Sequence, residues 1–430
     1  MTANSVGRNI VATAIANFAV PAVGLATAPL LAHALGVTGR GELAAIMAPY
    51  TFVIAIATVG VPEAITHHVA GRPGAGRSIV KAGTWQTLAV SAVATVFTIA
   101  LIGAVVVEDS TVRTLMLFSC LGIVPMSFVY LGRATAAGLH RWDLVNLDKY
   151  VSSGLRLSML ALFAWLGVLS VGVAATVMVV TPIIGGLMYL RAVNTVRSAT
   201  EVMSEAPRDI LSFSSRVWAG SLSGIVLGRL DQILMIPLAG AFQLGLYAAA
   251  VSVSEAVLVI NSAVRDVLFS AESSSVSRAR LFRWSRVSFI MSLLLSVPLV
   301  LSMPTWFPFL FGTEFGEATG VAILLTIAVV GGVPGSIAGA GLGAWGSPGL
   351  RSWGMVAAAA INVVLVVVLA PPFGAMGAAV ATLIGNFVAA NMNIYFLRSR
   401  FSCKFSDFYL PRRSDLAYLI GSSRMLLNYR

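Results

Sequence analysis

"GRLDQILMIPLAGAFQLGLYAAAVSVSE", residues 228–255, is apolar enough to enter a membrane, yet it opens on an arginine and an aspartate and closes on a glutamate. A charged side chain at the centre of a bilayer costs roughly 2.5–3.5 kcal/mol on insertion scales, so it normally faces protein or a water-filled cavity. Midway, "LAGAFQLG" interrupts the apolar run with two glycines and a glutamine, the mark of a turn. The stretch therefore reads as the end of one membrane helix and the start of the next, joined near Gly240, with its charges turned toward the inside of a bundle.

The rest of the chain extends this reading. Of 430 residues, 58% are hydrophobic and only 10% charged, against about 25% charged in soluble domains. Apolar runs of about 20 residues, enough for a hydrocarbon core of roughly 30 Å, recur from end to end. They predict an all-α integral membrane protein with twelve helices, six over 9–33, 43–66, 79–107, 112–137, 144–168 and 170–191. Six more follow over 212–238, 243–268, 287–310, 318–344, 352–371 and 375–397. The alternation of a membrane β-barrel is missing. The first run is too long for a cleaved signal, and Cys120 and Cys403 lie on segments not expected to meet.

Basic residues set the expected orientation. Arg8, Arg72, Arg77, Lys81, Arg133, Arg141, Lys149, Arg191, Arg197, Arg208, Arg278, Arg280, Arg283, Arg286 and Arg351 fall on one side, whereas the opposite loops hold only Arg40 and Arg113 against Glu42, Glu108, Asp109, Glu314 and Glu317. The positive-inside rule then places both termini in the cytoplasm. The net charge of +11 is dispersed among these loops, so it signals topology and contact with anionic membrane lipids, not a nucleic-acid partner.

The chain also repeats. "ALGVTGRGELAA" (34–45) matches "LAGAFQLGLYAA" (238–249), placing Gly36 over Gly240 and Gly41 over Gly245, and "VGVA" (171–174) matches "MGAA" (376–379) at nearly the same offset. Two six-helix bundles, 1–205 and 206–397, followed by a basic cytoplasmic tail, 398–430, are expected. Because each bundle has an even number of helices, the repeats are parallel, an arrangement used by transporters.

At this point "LGVTGRGELAAIMAPYTFVIAIATVGVPEAI", "GRLDQILMIPLAGAFQLGLYAAAVSVSEAV" and "INVVLVVVLAPPFGAMGAAVATLIGN" together resemble the Wzx-type polysaccharide flippases of the multidrug/oligosaccharidyl-lipid/polysaccharide exporter superfamily. The resemblance runs to about residue 400. It implies a V-shaped exporter in a bacterial cytoplasmic membrane, moving an undecaprenyl-diphosphate-linked oligosaccharide to the outer leaflet by alternating access. Polysaccharide-assembly enzymes are the partners it suggests. A drug or metabolite antiporter of the same superfamily is the alternative, since fold does not choose between them.

Such a cargo carries a diphosphate, and a guanidinium binds phosphate oxygens bidentately while keeping its charge. Arg156 and Arg229 are the foremost diphosphate candidates, and Arg216 is a third, with Asp266 as its alternative partner. Arg229 and Asp231 are two residues apart and point to different sides of one helix, so each needs its own partner. Counted from Gly240, Asp231 is level with Tyr247 and Arg229 reaches the depth of Glu255. Some relatives share a cation site between an acid of helix 7 and an Asn of helix 11; the matching positions here are Asp231 and Asn362, with Thr382 to complete it. A second acid in those relatives is Val366 here, so coupling to H⁺ or Na⁺ rests on Asp231 and Glu255, and no other cofactor is implied.

Two further classes fit poorly. "GRPGAGRS" (71–78) has P-loop spacing, but no strand precedes it and no ATPase domain accompanies it. A membrane-embedded lipid-sugar enzyme would need a sizeable outer loop with acids or histidines, and His33, His67, His68 and His140 have no catalytic carboxylate beside them in sequence.

Overall fold

A computed structural model describes residues 3–58, 60–71, 76–104, 110–192, 228–258, 261, 277–401, 403–410, 412 and 415. Among them there is no strand. The helices are α1 (Ala3–Thr58), α2 (Val61–Gly71), α3 (Gly76–Ala104), α4 (Ser110–Cys120), α5 (Ile123–Gly138), α6 (Trp142–Trp165) and α7 (Val171–Gly186). They continue with α8 (Gly228–Leu258), α9 (Arg278–Phe311), α10 (Ala318–Ala344), α11 (Pro348–Phe401) and the one-turn α12 (Ser406–Tyr409). Eight spans among the described residues are long and apolar enough to cross a membrane, so the chain is a multi-pass membrane protein.

In lipid no water is at hand for an unsatisfied polar group, so every hydroxyl needs a partner close by. Thr27, Thr51, Thr95, Thr181 and Thr326 donate to the carbonyl four residues earlier in their own helices, at 2.7–2.9 Å. Prolines interrupt the ladder inside α1, α7, α9, α10 and α11. The expected fourth helix is in fact two, because the chain breaks between α4 and α5 at Leu121–Gly122.

The chain divides into two compact units, Met1–Ala248 and Ala249–Arg430. The junction expected at 205/206 lies outside the described residues, as do the start of the expected helix 7 and most of the end of helix 8. In the first unit α2, α3 and α5 pack around Val61, Ile65, Val80 and Leu131. The positions matched by the sequence offset share a conformation: Gly36 and Gly240 both have positive φ, 66° and 81°, where a side chain would be strained. Five residues on, the two matched glycines touch. A Cβ on Gly41 would lie 1.7 Å from the Ala241 carbonyl oxygen, and one on Gly245 would lie 2.0 Å from that of Val37. Each segment thus presses its glycine on the other's backbone, a local two-fold relation between residues 37–41 and 241–245.

In the second unit α11 breaks at Gly374, φ 55°, and its two arms fold together, with Gly385 against Asn362 and Gly354 against Met392. Helix association in lipid relies on close van der Waals packing of small residues. On α10 such a stripe, Gly331, Gly335 and Gly339, faces Phe387, Ala390 and Asn393 of the second arm, where a Cβ on Gly335 would sit 2.0 Å from the Ala390 Cα. Below it Leu281, Ile337, Leu397 and Phe408 form an apolar core.

Candidate functional site

Asp231 and Tyr247 flank the Gly240 turn on α8 and are both buried. The Tyr247 hydroxyl donates to Asp231 Oδ2, and the Gln232 backbone N–H donates to Oδ1 at 2.7 Å. This is the pairing that equal depth from the turn predicts. With both oxygens accepting, the arrangement suits the ionised carboxylate, which is an acceptor only. Arg229, half-buried, lies two residues away on the same helix; Glu255 is exposed and belongs to the second unit.

Arg156 sits midway along α6, half-buried, with its Nε shielded from solvent and without a hydrogen-bond partner. No acid pairs with it among the described residues. In the second unit Asn362 is 1% exposed and its Nδ2 has no partner, Thr382 is half-buried on the other arm of α11, and Val366 is fully buried. Arg216 and Asp266 lie outside the described residues.

Two ion pairs escape the sequence reading, which counts their arginines as loop charges. Arg133 of α5 donates to Asp148 Oδ2 of α6 at 2.5 Å; the same oxygen accepts from Tyr189 Oη at 2.8 Å, and Oδ1 accepts from Ser152 Oγ at 2.9 Å. Asp148 is fully buried. A signal exists: Arg133 and Asp148 are seven and eight residues from the turn at His140, so the depth count that joins Asp231 to Tyr247 joins these too.

The second pair ties the chain beyond α11 to α9. Arg286 donates through Nε (2.6 Å) and Nη2 (3.0 Å) to Asp415, and through Nη1 to the Asp407 carbonyl at 2.9 Å. Ser285 Oγ donates to the Phe408 carbonyl, and Phe408 sits edge-on to Phe282. The hydrogen bonds from Arg286 hold the Asp415 carboxyl below the usual carboxylate range. Residues 403–410 and Asp415 therefore strap α9. Beyond Asp415, the basic tail expected over 398–430 lies outside the described residues.

The fold is shared with solved transporters. A multidrug resistance MATE family transporter of the MOP superfamily, in an inward-facing conformation, superposes with a TM-score of 0.69 at 17% identity, over 90% of this chain and 98% of that one. The lipid II flippase MurJ in an inward closed conformation gives 0.70 at 12% identity, over 92% of this chain and 88% of that one. In sequence, 208 residues are 26% identical to a probable low-salt glycan biosynthesis flippase, Agl15, of Haloferax volcanii. That match covers 46% of this chain and 43% of the relative, so it spans less than half of either. The polysaccharide biosynthesis protein family matches residues 6–269, and with well over half of its length inside that match the chain belongs to this family.

Proposed function

We propose that this protein flips a lipid-linked oligosaccharide, carried on an isoprenoid diphosphate, from the inner to the outer leaflet of a bacterial cytoplasmic membrane. It does so by alternating access, driven by an ion gradient or the membrane potential, with the arginine-rich loops and both termini in the cytoplasm. Family membership and the flippase named among its relatives support a cargo of this class. The observation that carries the reading is Arg156, a guanidinium within a membrane-spanning bundle whose Nε is shielded and unpartnered. A diphosphate supplies the oxygens such a group lacks, and arginine stays charged while it is desolvated. Arg229 is the second contact, and Arg216 the third. The enzymes that build and consume the glycan are its natural partners.

The test follows delivery of the lipid-linked glycan to the outer leaflet in membrane vesicles. Arg156→Ala and Arg229→Ala, at equal membrane levels, are expected to lose about 10- to 100-fold in rate, from the roughly 1.5–3 kcal/mol of a charged hydrogen bond. Full translocation by both variants refutes the assignment.

Coupling is assigned to Asp231, with Glu255, Asn362 and Thr382 as accessory polar groups. Binding a proton or Na⁺ at Asp231 changes the acceptor that Tyr247 and the Gln232 N–H now share, and so links ion occupancy to the geometry of the turn. Asp231→Asn is expected to uncouple transport from the ion gradients that drive the wild type; unchanged ion dependence rules the residue out.

A further inference from the structure

Inside the second unit, between α10, the two arms of α11 and the end of α8, lies a cavity of about 190 Å³. Its walls are not those of a packing defect. Asn261, Ser336, Arg351, Asn386 and Asn393 line it, beside the apolar Leu258, Val329 and Met355 and small residues of α10 and α11. Asn261 and Asn393 are 4% and 6% exposed, and the Oδ1 of each is buried without a donor. The Asn393 amide is held in place, because its Nδ2 donates to the Gly335 carbonyl at 3.1 Å. Arg351 lies beside it: a Cβ on Gly339 would meet Asn393 Nδ2 at 2.9 Å and Arg351 Nε at 3.4 Å.

An empty apolar cavity is stable, but a cavity walled by amides calls for donors. Amide carbonyls short of a hydrogen suit hydroxyl groups, and a guanidinium on the same wall suits a phosphate and disfavours a cation. At about 30 Å³ per water molecule the space holds about six waters, closer to one sugar ring than to a disaccharide.

The structure assigns this cavity as a binding site for a small phosphorylated polyol, separate from the arginines of the first unit. Asn261, Asn393 and Ser336 engage the hydroxyls and Arg351 the phosphate. Two sources offer that chemistry, a sugar phosphate and the headgroup of an anionic glycerophospholipid. The site goes beyond the proposed flippase activity and does not depend on it, because its test measures binding with no transport step.

The full chain, purified into phosphatidylcholine nanodiscs, is titrated calorimetrically with glucose 1-phosphate, glucose or inorganic phosphate, and thermal unfolding is followed in nanodiscs with and without phosphatidylglycerol. Saturable binding of glucose 1-phosphate, or a phosphatidylglycerol-dependent rise in the unfolding temperature, supports the site and identifies the source. Either effect should fall at least 10-fold in Arg351→Gln and in Ser336→Ala, and vanish in Ala389→Leu, which fills the space. Should the leucine variant misfold, Ser336→Ala decides, since it removes one hydroxyl and little volume. Absence of both effects, equal affinity for inorganic phosphate and glucose 1-phosphate, or insensitivity to Ser336→Ala and Arg351→Gln overturns the assignment.

Discussion

Adding one methyl group where the matched glycines meet tests both the repeat and the proposed transport cycle. A Cβ on Gly41 would lie 1.7 Å from the Ala241 carbonyl oxygen and 2.8 Å from the Gly245 nitrogen. A carbon normally approaches a carbonyl oxygen no closer than about 3.3 Å, so Gly41→Ala must push the two backbones apart by about 1.6 Å. On the other side, the 2.0 Å approach to Val37 requires about 1.3 Å. Overpacking typically costs about 1–3 kcal/mol. No rotamer relieves a clash between backbones, which puts the cost near about 3 kcal/mol. If this contact is made in one conformation of the cycle and released in the other, about 3 kcal/mol shifts their ratio roughly 100-fold. Vesicle translocation by Gly41→Ala and Gly245→Ala should fall by about that factor, while Gly24→Ala, whose Cβ meets nothing within 4 Å, leaves it unchanged. Since one separation relieves both clashes, the double variant should lose little more than the worse single one. Wild-type rates in both single variants would show that the backbones do not meet there, and additive losses would show that the two contacts are independent.

The strap and the α5–α6 pair give two further tests. Removing one partner of a buried ion pair costs roughly 3–5 kcal/mol. Asp415→Asn, which strands the nearly inaccessible Arg286, should therefore loosen the strap, read as faster trypsin cleavage at Arg412 and a lower unfolding temperature; unchanged cleavage refutes the clamp. Because folding depresses the Asp415 pKa, its contribution is complete above the unfolded value of about 3.9 and is lost as pH falls through the folded one. Trypsin being inactive there, pepsin cleavage of the wild-type strap should rise as the pH is taken below about 4, and that dependence should be absent in Asp415→Asn. For the other pair, Arg133 is 32% exposed and Asp148 fully buried, so Arg133→Ala, which strands the buried member, should lower the unfolding temperature more than Asp148→Asn. The reverse order would place the desolvation on the arginine.

What could be read from the sequence follows from how each contact is encoded. Membrane helices depend on apolar length, a local property, and where they are described the expected spans fall mostly on helices, broken at Gly60 and at Leu121–Gly122. The matched glycines were visible because a turn at positive φ restricts the residue type on the spot. Asp231 met Tyr247 because two helices joined by a short turn have a common depth scale, and the same count reaches Arg133 and Asp148 across His140. The glycine stripe on α10 shows a four-residue spacing in sequence, but not that Ala390 faces it. Arg286 and Asp415 are 129 positions apart, and no periodicity carries the path of the strap between them. The cavity is hidden for the same reason, since its lining comes from the end of α8, from α10 and from both arms of α11, and only packing brings them together.

The arginines of this chain therefore serve different ends, separated by what each one meets and not by where it falls in the sequence. Arg133 and Arg286 are answered by carboxylates that are themselves fully buried and further hydrogen-bonded, the condition under which a desolvated ion pair holds a structure together. A transporter that used such a pair to grip an anion would first have to break it, at a cost of the same order as the binding gained. Arg156 carries no such cost: its Nε is already withdrawn from water, and no acid among the described residues competes for it. The desolvation is met when the helices pack, so under the proposed function a diphosphate would gain the charged contact without displacing a protein partner. The proposed function gives Asp231 a different task from the diphosphate contacts it assigns to the arginines. The two Asp231 oxygens accept from the Tyr247 hydroxyl and the Gln232 N–H, so a proton or Na⁺ bound there, as proposed, would act on the hydrogen bonds that span the turn. One helix end thus presents an arginine and an aspartate two residues apart, the groups to which the proposed function assigns the cargo's diphosphate and the coupling ion.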